Sequence, residues 1–120
     1  MTVRKVLCVD DSATDLNAIQ KILTGANINV VFATNGKDAI QFAKSEMPDL
    51  IFLDIIMPGM DGFAVMRELK KDQATKDIPV VFVSSKSQKA DQAWAKMQGG
   101  SGFVPKPVNQ LAILEAISRF

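Results

Sequence analysis

The sequence contains no histidine and a single cysteine, Cys8. Without histidine, this chain can build neither a histidine general base nor a histidine-ligated metal site. One cysteine cannot form a disulfide within the chain, so we expect a protein of the reducing cytoplasm. Cys8 lies inside an apolar run, and we interpret it as a small buried hydrophobic residue rather than a redox centre.

Long apolar segments and a strong net charge are also missing. No run approaches the roughly 18 apolar residues of a membrane-spanning helix. The first apolar run has four residues, which is too short for a signal peptide. The formal net charge of +1 gives no electrostatic support for binding nucleic acid or an anionic membrane. We therefore expect a cytoplasmic monomer with neither kind of partner, folded as one domain over residues 1–120.

The sequence does contain a regular alternation of predicted strands and helices. Continuous apolar runs in the first, third and fourth strands are typical of strands buried on both faces of a parallel sheet. Five such units with right-handed crossovers predict an α/β fold with a doubly wound five-stranded parallel sheet and five helices. The predicted strands cover residues 4–9, 29–33, 49–53, the run from residue 80, and 102–104. The predicted helices cover about 13–24, 37–46, 63–71, 88–98 and 109–119.

Local signals define the helices in more detail. Ser12 is predicted to cap the first helix, and Asn109 is predicted to cap the last one. In the fourth helix Trp94 has two interpretations: half-exposed on the surface, or partly buried against the neighbouring strand. The apolar spacing of the last helix predicts an inward face made of Leu111, Leu114 and Ile117, with Ala112 and Ile113 beside them.

Polar residues follow four of the apolar runs, at the carboxyl ends of the predicted strands. They are Asp10 and Asp11, Asp54, Ser84 and Lys106. Ligand sites of open α/β sheets lie at this edge. Three neighbouring carboxylates are unfavourable unless they are protonated or bound to a cation, and an all-oxygen ligand set suits Mg²⁺. Carboxylates, Mg²⁺, a lysine and a hydroxyl are suited to phosphoryl transfer, with Asp54 as nucleophile because it stands alone after the central strand.

Other interpretations stay open at this point. Taken singly, an aspartate or serine at a strand end is usually a turn or helix cap. A metal-dependent phosphohydrolase would need a second acid two residues after its nucleophile, where this chain has Ile56. A flavodoxin-like cofactor carrier would need a loop rich in hydroxyl groups and glycine after the first strand, where Asp10 and Asp11 stand.

The whole chain resembles the receiver domains of bacterial two-component response regulators, of the single-domain CheY-like kind. The matching features are the acid pair Asp10–Asp11, the acceptor Asp54, the loop 57–62, the hydroxyl of Ser84 and the pair Lys106–Pro107. The resemblance implies a flavodoxin-like sheet with strand order 2-1-3-4-5. It also implies a protein that catalyses only its own phosphorylation and dephosphorylation.

The resemblance further implies the chemistry of the acidic residues. Asp54 is expected to accept a phosphoryl group from a CheA-like histidine kinase. Mg²⁺ is expected to bind Asp11, Asp54 and the backbone carbonyl of Ile56, with Asp10 acting through water.

Three further features have implied roles. Ser84 and Lys106 are expected to bind the phosphoryl oxygens, and the Lys106–Pro107 peptide bond is expected to be cis. Phosphorylation is expected to draw Ser84 inward and let the ring of Phe103 turn in behind it. The surface that changes, and that meets a downstream protein, is implied to be the fourth helix, fifth strand and fifth helix.

Residues 92–99 resemble the fourth helix of the PilH-like regulators of twitching motility, which implies a role in controlling type IV pili. Two alternatives remain. One is a CheY-like regulator of flagellar chemotaxis. The other is a pseudo-receiver that binds partners without taking phosphate, against which the intact Asp11, Asp54 and Lys106 argue.

Overall fold

A computed structural model describes residues 2–120, which form a five-stranded sheet and five helices. The strands are β1 (Lys5–Val9), β2 (Asn29–Ala33), β3 (Leu50–Asp54), β4 (Val80–Ser84) and β5 (Gly102–Pro105). The helices are α1 (Ala13–Gly25), α2 (Gly36–Glu46), α3 (Gly62–Lys71), α4 (Lys89–Met97) and α5 (Gln110–Ser118). None of the helices within these residues has the length and apolar character needed to cross a bilayer.

All neighbouring strands of the sheet are parallel, in the order β2-β1-β3-β4-β5. The predicted fold class and strand order are therefore confirmed. The registered pairs at the carboxyl ends of the strands are Val9–Leu53, Asp54–Val83 and Ser84–Pro105. Because the inner strands end at nearly the same level, the residues that follow them meet along one line, which we call the carboxyl edge of the sheet.

The sheet is covered on both faces, as its continuous apolar strands predict. Every residue of β3 and β4 is buried. Phe82 packs with α2, α3 and α4 on one face, while Phe52 packs with α1 and α5 on the other. Burying a phenylalanine side chain stabilises a fold by about 1.5–3 kcal/mol, so these two layers hold the central strands in a fixed position.

Side-chain caps fix the start of four helices close to the carboxyl edge. The side chains of Ser12, Asn35, Asp61 and Asn109 each accept a hydrogen bond from the backbone N–H three residues later. Such caps satisfy a backbone donor that the helix itself leaves unpaired. The predicted caps Ser12 and Asn109 are confirmed.

The inward face predicted for α5 is partly wrong. Leu111 is 75% exposed, whereas Ile113 and Ala116 are buried. Leu114 and Ile117 are only partly buried. The apolar spacing fits two helical faces, and the packing against α1 and β5 selects the face that contains Ile113 because it reaches the sheet.

Helix α4 presents most of its apolar residues to solvent. Trp94 is 50% exposed and Met97 is 75% exposed, while Ala95 is the one residue of this helix that is fully buried. The half-exposed interpretation of Trp94 is therefore the one that the structure supports. Large apolar side chains left in solvent on one helix are a common sign of a contact surface.

Candidate functional site

The carboxyl edge brings the three predicted acids together. Asp54 is the last residue of β3 and Asp10 directly follows β1; both are buried, at 4% and 2% exposure, while the neighbouring Asp11 is exposed. One carboxylate oxygen from each of the three lies within 4.8 Å of the others. The predicted cluster of carboxylates therefore exists, with one member open to solvent.

The backbone holds Asp10 in place. Its N–H donates to the carbonyl of Ala33 over 3.1 Å, and its Oδ1 accepts from the N–H of Ser12 over 2.9 Å. Its Oδ2 is buried and accepts no directed hydrogen bond. The nearest cation, Lys106 Nζ, is 2.8 Å from this oxygen. That contact is an ion pair by distance although its angles are not those of a hydrogen bond, and charge attraction depends on the distance.

Lys106 places one positive charge among the carboxylates. It follows β5, its backbone N–H donates to the carbonyl of Ser84 over 2.9 Å, and its peptide bond to Pro107 is cis. Its Nζ lies 2.8 Å from Asp10 and 3.4 Å from Asp54, and its side chain is 14% exposed. The lysine is thus positioned to neutralise negative charge at Asp10 and Asp54.

The electrostatics of the site change the protonation of Asp54. Burial and, next, the charge of Asp10 raise the pKa of Asp54 to about 6, although Lys106 opposes both. The pKa of Lys106 behaves differently. Burial would lower it, but the carboxylates of Asp10, Asp15 and Asp54 outweigh burial and hold the pKa above its usual range. Lys106 therefore stays charged, while the carboxylates repel one another.

This donor set fits a divalent cation. The side-chain ligands are oxygen atoms only, and one buried carboxylate oxygen accepts no directed hydrogen bond. Burial and, next, the charge of Asp10 raise the pKa of Asp54, and Lys106 only partly opposes them. Mg²⁺ prefers carboxylate and carbonyl oxygens and retains several waters.

Ser84 is the last residue of β4, the strand next to that of Asp54, and Phe103 lies on β5. Ser84 is fully buried, and its Oγ accepts a hydrogen bond from the N–H of Lys86 over 3.1 Å. Phe103 is paired with Phe82 across the two strands and is partly buried, lining a groove of about 390 Å³ between α4 and β5. An inward movement of Ser84 and a turn of the Phe103 ring stay predictions.

The loop between β3 and α3 forms the wall next to Asp54. The N–H of Gly62 donates to the carbonyl of Ile55 over 2.8 Å, which closes the loop, and Gly59 takes a φ of 77°. The side chain of Ile56 is 51% exposed and faces a cleft of about 410 Å³ that Trp94 also lines. The role of the Ile56 carbonyl as a metal ligand stays a prediction.

One charged residue of the site does not stand among the predicted site residues. Asp15, in the first turn of α1, places its Oδ2 2.9 Å from Lys106 Nζ. In the sequence it appears as a first-turn acid of a capped helix, which is a common structural role. A usable signal for its location, though not for its contact with Lys106, was its place in the first turn of the helix that directly follows the strand-end acids, close to the carboxyl edge.

Comparisons with known proteins agree with this architecture. A family model described as the response regulator receiver domain matches residues 6–118. Protein PilH of Pseudomonas aeruginosa is 39% identical over 114 residues, covering 95% of this chain and 94% of that protein. Protein PilG of the same organism is 33% identical over 113 residues, covering 94% and 84%. The solved structure of the chemotaxis response regulator CheY4 of Vibrio cholerae is similar, with a TM-score of 0.90, 28% identity and 98% coverage of both chains.

Proposed function

The chain belongs to the response regulator receiver domain family, and we propose that Asp54 accepts a phosphoryl group from a histidine kinase. Receiver domains act in two-component or chemosensory signalling and are generally not enzymes. The observation that supports the proposal most strongly is the buried carboxylate of Asp54 at the carboxyl edge, with Lys106 Nζ 3.4 Å away. A nucleophile and a counter-charge are thus held together before any donor arrives.

The proposed reaction is the transfer of a phosphoryl group between two side chains. A carboxylate oxygen of Asp54 forms a bond to phosphorus as the bond from phosphorus to the kinase imidazole nitrogen breaks. The imidazole keeps the electron pair of the broken bond and takes a proton from solvent. Later attack by water on the acyl phosphate restores the carboxylate and releases inorganic phosphate. The chain thus catalyses its own phosphorylation and dephosphorylation.

Positioning and charge neutralisation account for most of the catalysis in phosphoryl transfer. Asp11, Asp54 and the carbonyl of Ile56 would hold Mg²⁺, with Asp10 acting through water. When bound, the ion supplies positive charge to the oxygens of the transferring group. Lys106 supplies a second positive charge next to Asp10 and Asp54, and its raised pKa keeps it protonated throughout the neutral range.

We propose that phosphorylation of Asp54 changes the protein surface through movements of Ser84 and Phe103. The hydroxyl of Ser84 donates to a phosphoryl oxygen after leaving its contact with the N–H of Lys86. The ring of Phe103 then fills the space behind it and changes the surface of α4, β5 and α5. The exposed Trp94 and Met97 on α4 and the exposed Leu111 on α5 support this surface as the contact for a downstream protein.

We assign the signalling pathway by similarity. The 39% identity to PilH over almost the full length of both chains, together with the similarity to PilG, supports a chemosensory system that controls type IV pilus twitching, with a CheA-like kinase as donor. The protein would act in the cytoplasm, since the ATP used by such a kinase is found there. We propose that it acts as a monomer.

Intact-mass spectrometry tests the phosphoacceptor proposal. The protein is incubated with acetyl phosphate and Mg²⁺, then measured at once. We expect the wild type to gain the mass of one phosphoryl group, and the gain to be lost with a chelator or in Asp54→Asn. Asp49→Asn is the matched control, since Asp49 precedes the same strand at its other end. A wild type that takes no phosphoryl group would support a pseudo-receiver instead.

The pathway proposal needs a separate test. A chromosomal Asp54→Asn allele is introduced into the source organism, and surface twitching and swimming are scored side by side. We expect altered twitching and normal swimming. Altered swimming with normal twitching would assign the protein to flagellar chemotaxis and contradict the pilus assignment.

A further inference from the structure

Lys106 is shared among three carboxylates, and the acceptor is not the nearest of them. Its Nζ lies 2.8 Å from Asp10 Oδ2 and 2.9 Å from Asp15 Oδ2, but 3.4 Å from Asp54 Oδ2. The two shortest contacts are therefore made with groups that do not take the phosphoryl group. In the phosphorylated protein the same lysine has to contact the phosphoryl oxygens instead.

Asp15 is free to make this contact because helix capping does not use its side chain. Its backbone N–H donates to Ser12 Oγ over 3.3 Å, while its carboxylate reaches across to the loop after β5. The same position of α2 gives a comparison. Asp38 also donates its backbone N–H to a capping side chain, but its carboxylate accepts from Asn35 Nδ2 over 3.0 Å and stays within its own helix turn.

We propose that Asp15 is a positioning residue that holds Lys106 back from Asp54 and so weakens retention of the phosphoryl group. This inference rests on the proposed phosphoacceptor function. Asp15 does not touch the reacting atoms; it acts by competing for the lysine.

Two electrostatic effects act in the same direction. Lys106 has to leave or loosen an ion pair with Asp15 when it turns toward a phosphoryl group, and this lowers the net gain from the new contact. The carboxylate of Asp15 also adds a negative charge next to a group that itself carries about two negative charges. Changing Asp15 to asparagine removes the charge, keeps the side-chain size and leaves the backbone bond to Ser12 available.

Asp15→Asn should have opposite effects on the affinity for a cation and on the affinity for a phosphoryl group. Without the Asp15 charge, Mg²⁺ alone should bind more weakly, because the site attracts cations less. A phosphoryl analogue should bind more tightly, because Lys106 is released and repulsion falls. A variant that folds poorly would bind both ligands more weakly. The two affinities together therefore distinguish a positioning role of Asp15 from a general loss of structure.

Calorimetric titration measures both affinities on the same preparations. Mg²⁺ alone is titrated first, and the phosphoryl analogue fluoroberyllate is then titrated in saturating Mg²⁺. For Asp15→Asn we expect fluoroberyllate to bind roughly three- to tenfold more tightly than to the wild type, as for loss of one partly exposed charge. Mg²⁺ alone should bind more weakly, and the acyl phosphate formed from acetyl phosphate should last longer.

Two control variants define the result. Asp38→Asn makes the same change at the same helix position away from Lys106, and Asp15→Glu retains the charge; both should bind like the wild type. If the wild type binds fluoroberyllate and Asp15→Asn binds it no more tightly than the wild type, the inference about Asp15 is overturned while the proposed function stands. A wild type that neither binds fluoroberyllate nor takes a phosphoryl group would overturn the proposed function as well.

Discussion

Gly62 packs against the backbone of Asp54 so closely that no larger residue fits. A Cβ at position 62 would overlap the carbonyl oxygen of Asp54 and lie 2.8 Å from the Cα of Ile55. The first turn of α3 is thereby pressed onto the end of β3. The backbone at Asp54 is thus in contact with the backbone of α3, which cannot yield as a flexible side chain can.

Gly62→Ala should therefore destabilise the protein by about 1–3 kcal/mol, as overpacking of a dense region does. The expected cause is a displaced β3–α3 loop, so phosphorylation from acetyl phosphate should slow as well. Gly25→Ala is the control, because a Cβ there has no neighbour within 4 Å. Urea unfolding should show the control to be at least as stable as the wild type, by up to about 1 kcal/mol. Equal stability of both variants would contradict the close contact.

The raised pKa of Asp54 predicts an unusual dependence of stability on pH in the absence of divalent cations. The pKa rises from 3.8 to about 6 on folding, so between about pH 4 and 6 the folded state holds a proton that the unfolded state has lost. The contribution of Asp54 to stability is then present at low pH and is lost as the pH rises through this window. Asp54→Asn should gain stability over the wild type across it, by about 1–2 kcal/mol after allowance for solvent screening.

Asp72 provides the opposite case for the same experiment. A hydrogen bond from the N–H of Ala74 and the ion pair with Lys44 lower the pKa of Asp72. Its contribution is present above pH 4 and is lost as the pH falls, so Asp72→Asn should be less stable than the wild type at neutral pH and converge with it in acid. Chemical unfolding at a series of pH values measures both. Parallel profiles for the wild type and Asp54→Asn would contradict the raised pKa.

Removing Lys106 should destabilise the metal-free protein. Lys106→Met leaves Asp10 and Asp54 buried without their counter-charge, and we expect a loss of about 1–3 kcal/mol at pH 7. Saturating Mg²⁺ should recover part of this loss, because the cation replaces the missing charge. Lys71→Met is the control, since Lys71 pairs with Glu68 on the surface with 72% of its side chain exposed, and it should change stability by less than about 0.5 kcal/mol. A gain in stability from Mg²⁺ that is no larger for Lys106→Met than for the wild type and Lys71→Met would contradict the account.

Trp94 is the only tryptophan in the chain and reports on the α4 surface. It is half-exposed and meets Phe63 edge to face, with ring centroids 6.5 Å apart. We therefore expect acrylamide to quench the Trp94 fluorescence of the native protein substantially. The quenching constant should be a large fraction of the constant measured for the protein unfolded in urea. Binding of a downstream protein to α4 should reduce that quenching. Emission that acrylamide barely quenches in the free protein would contradict an open α4 surface.

Much of this structure could be predicted from local patterns. The five strands, the caps Ser12 and Asn109 and the meeting of Asp10, Asp11 and Asp54 follow from apolar runs and from the polar residues that end them. Parallel strands buried on both faces leave few ways to arrange the chain, so the position of the carboxyl edge follows from the fold class.

The errors have specific physical causes. The face of α5 was misplaced because Leu111, Ile113, Leu114 and Ile117 offer two apolar stripes, and only packing against α1 and β5 selects one. The contact between Asp15 and Lys106 joins residues from opposite ends of the chain through the tertiary fold, so no local pattern contains it.

The central claim is that Asp54 forms an acyl phosphate, and borohydride trapping tests it most directly. The protein is treated with acetyl phosphate and Mg²⁺, reduced with borohydride, digested and sequenced by tandem mass spectrometry. An acyl phosphate is reduced to an alcohol, whereas a free carboxylate is not, so the phosphorylated aspartate appears as homoserine. The account predicts homoserine at position 54, dependent on Mg²⁺ and on the donor. Homoserine at position 10 or 11, or at no position, would contradict it.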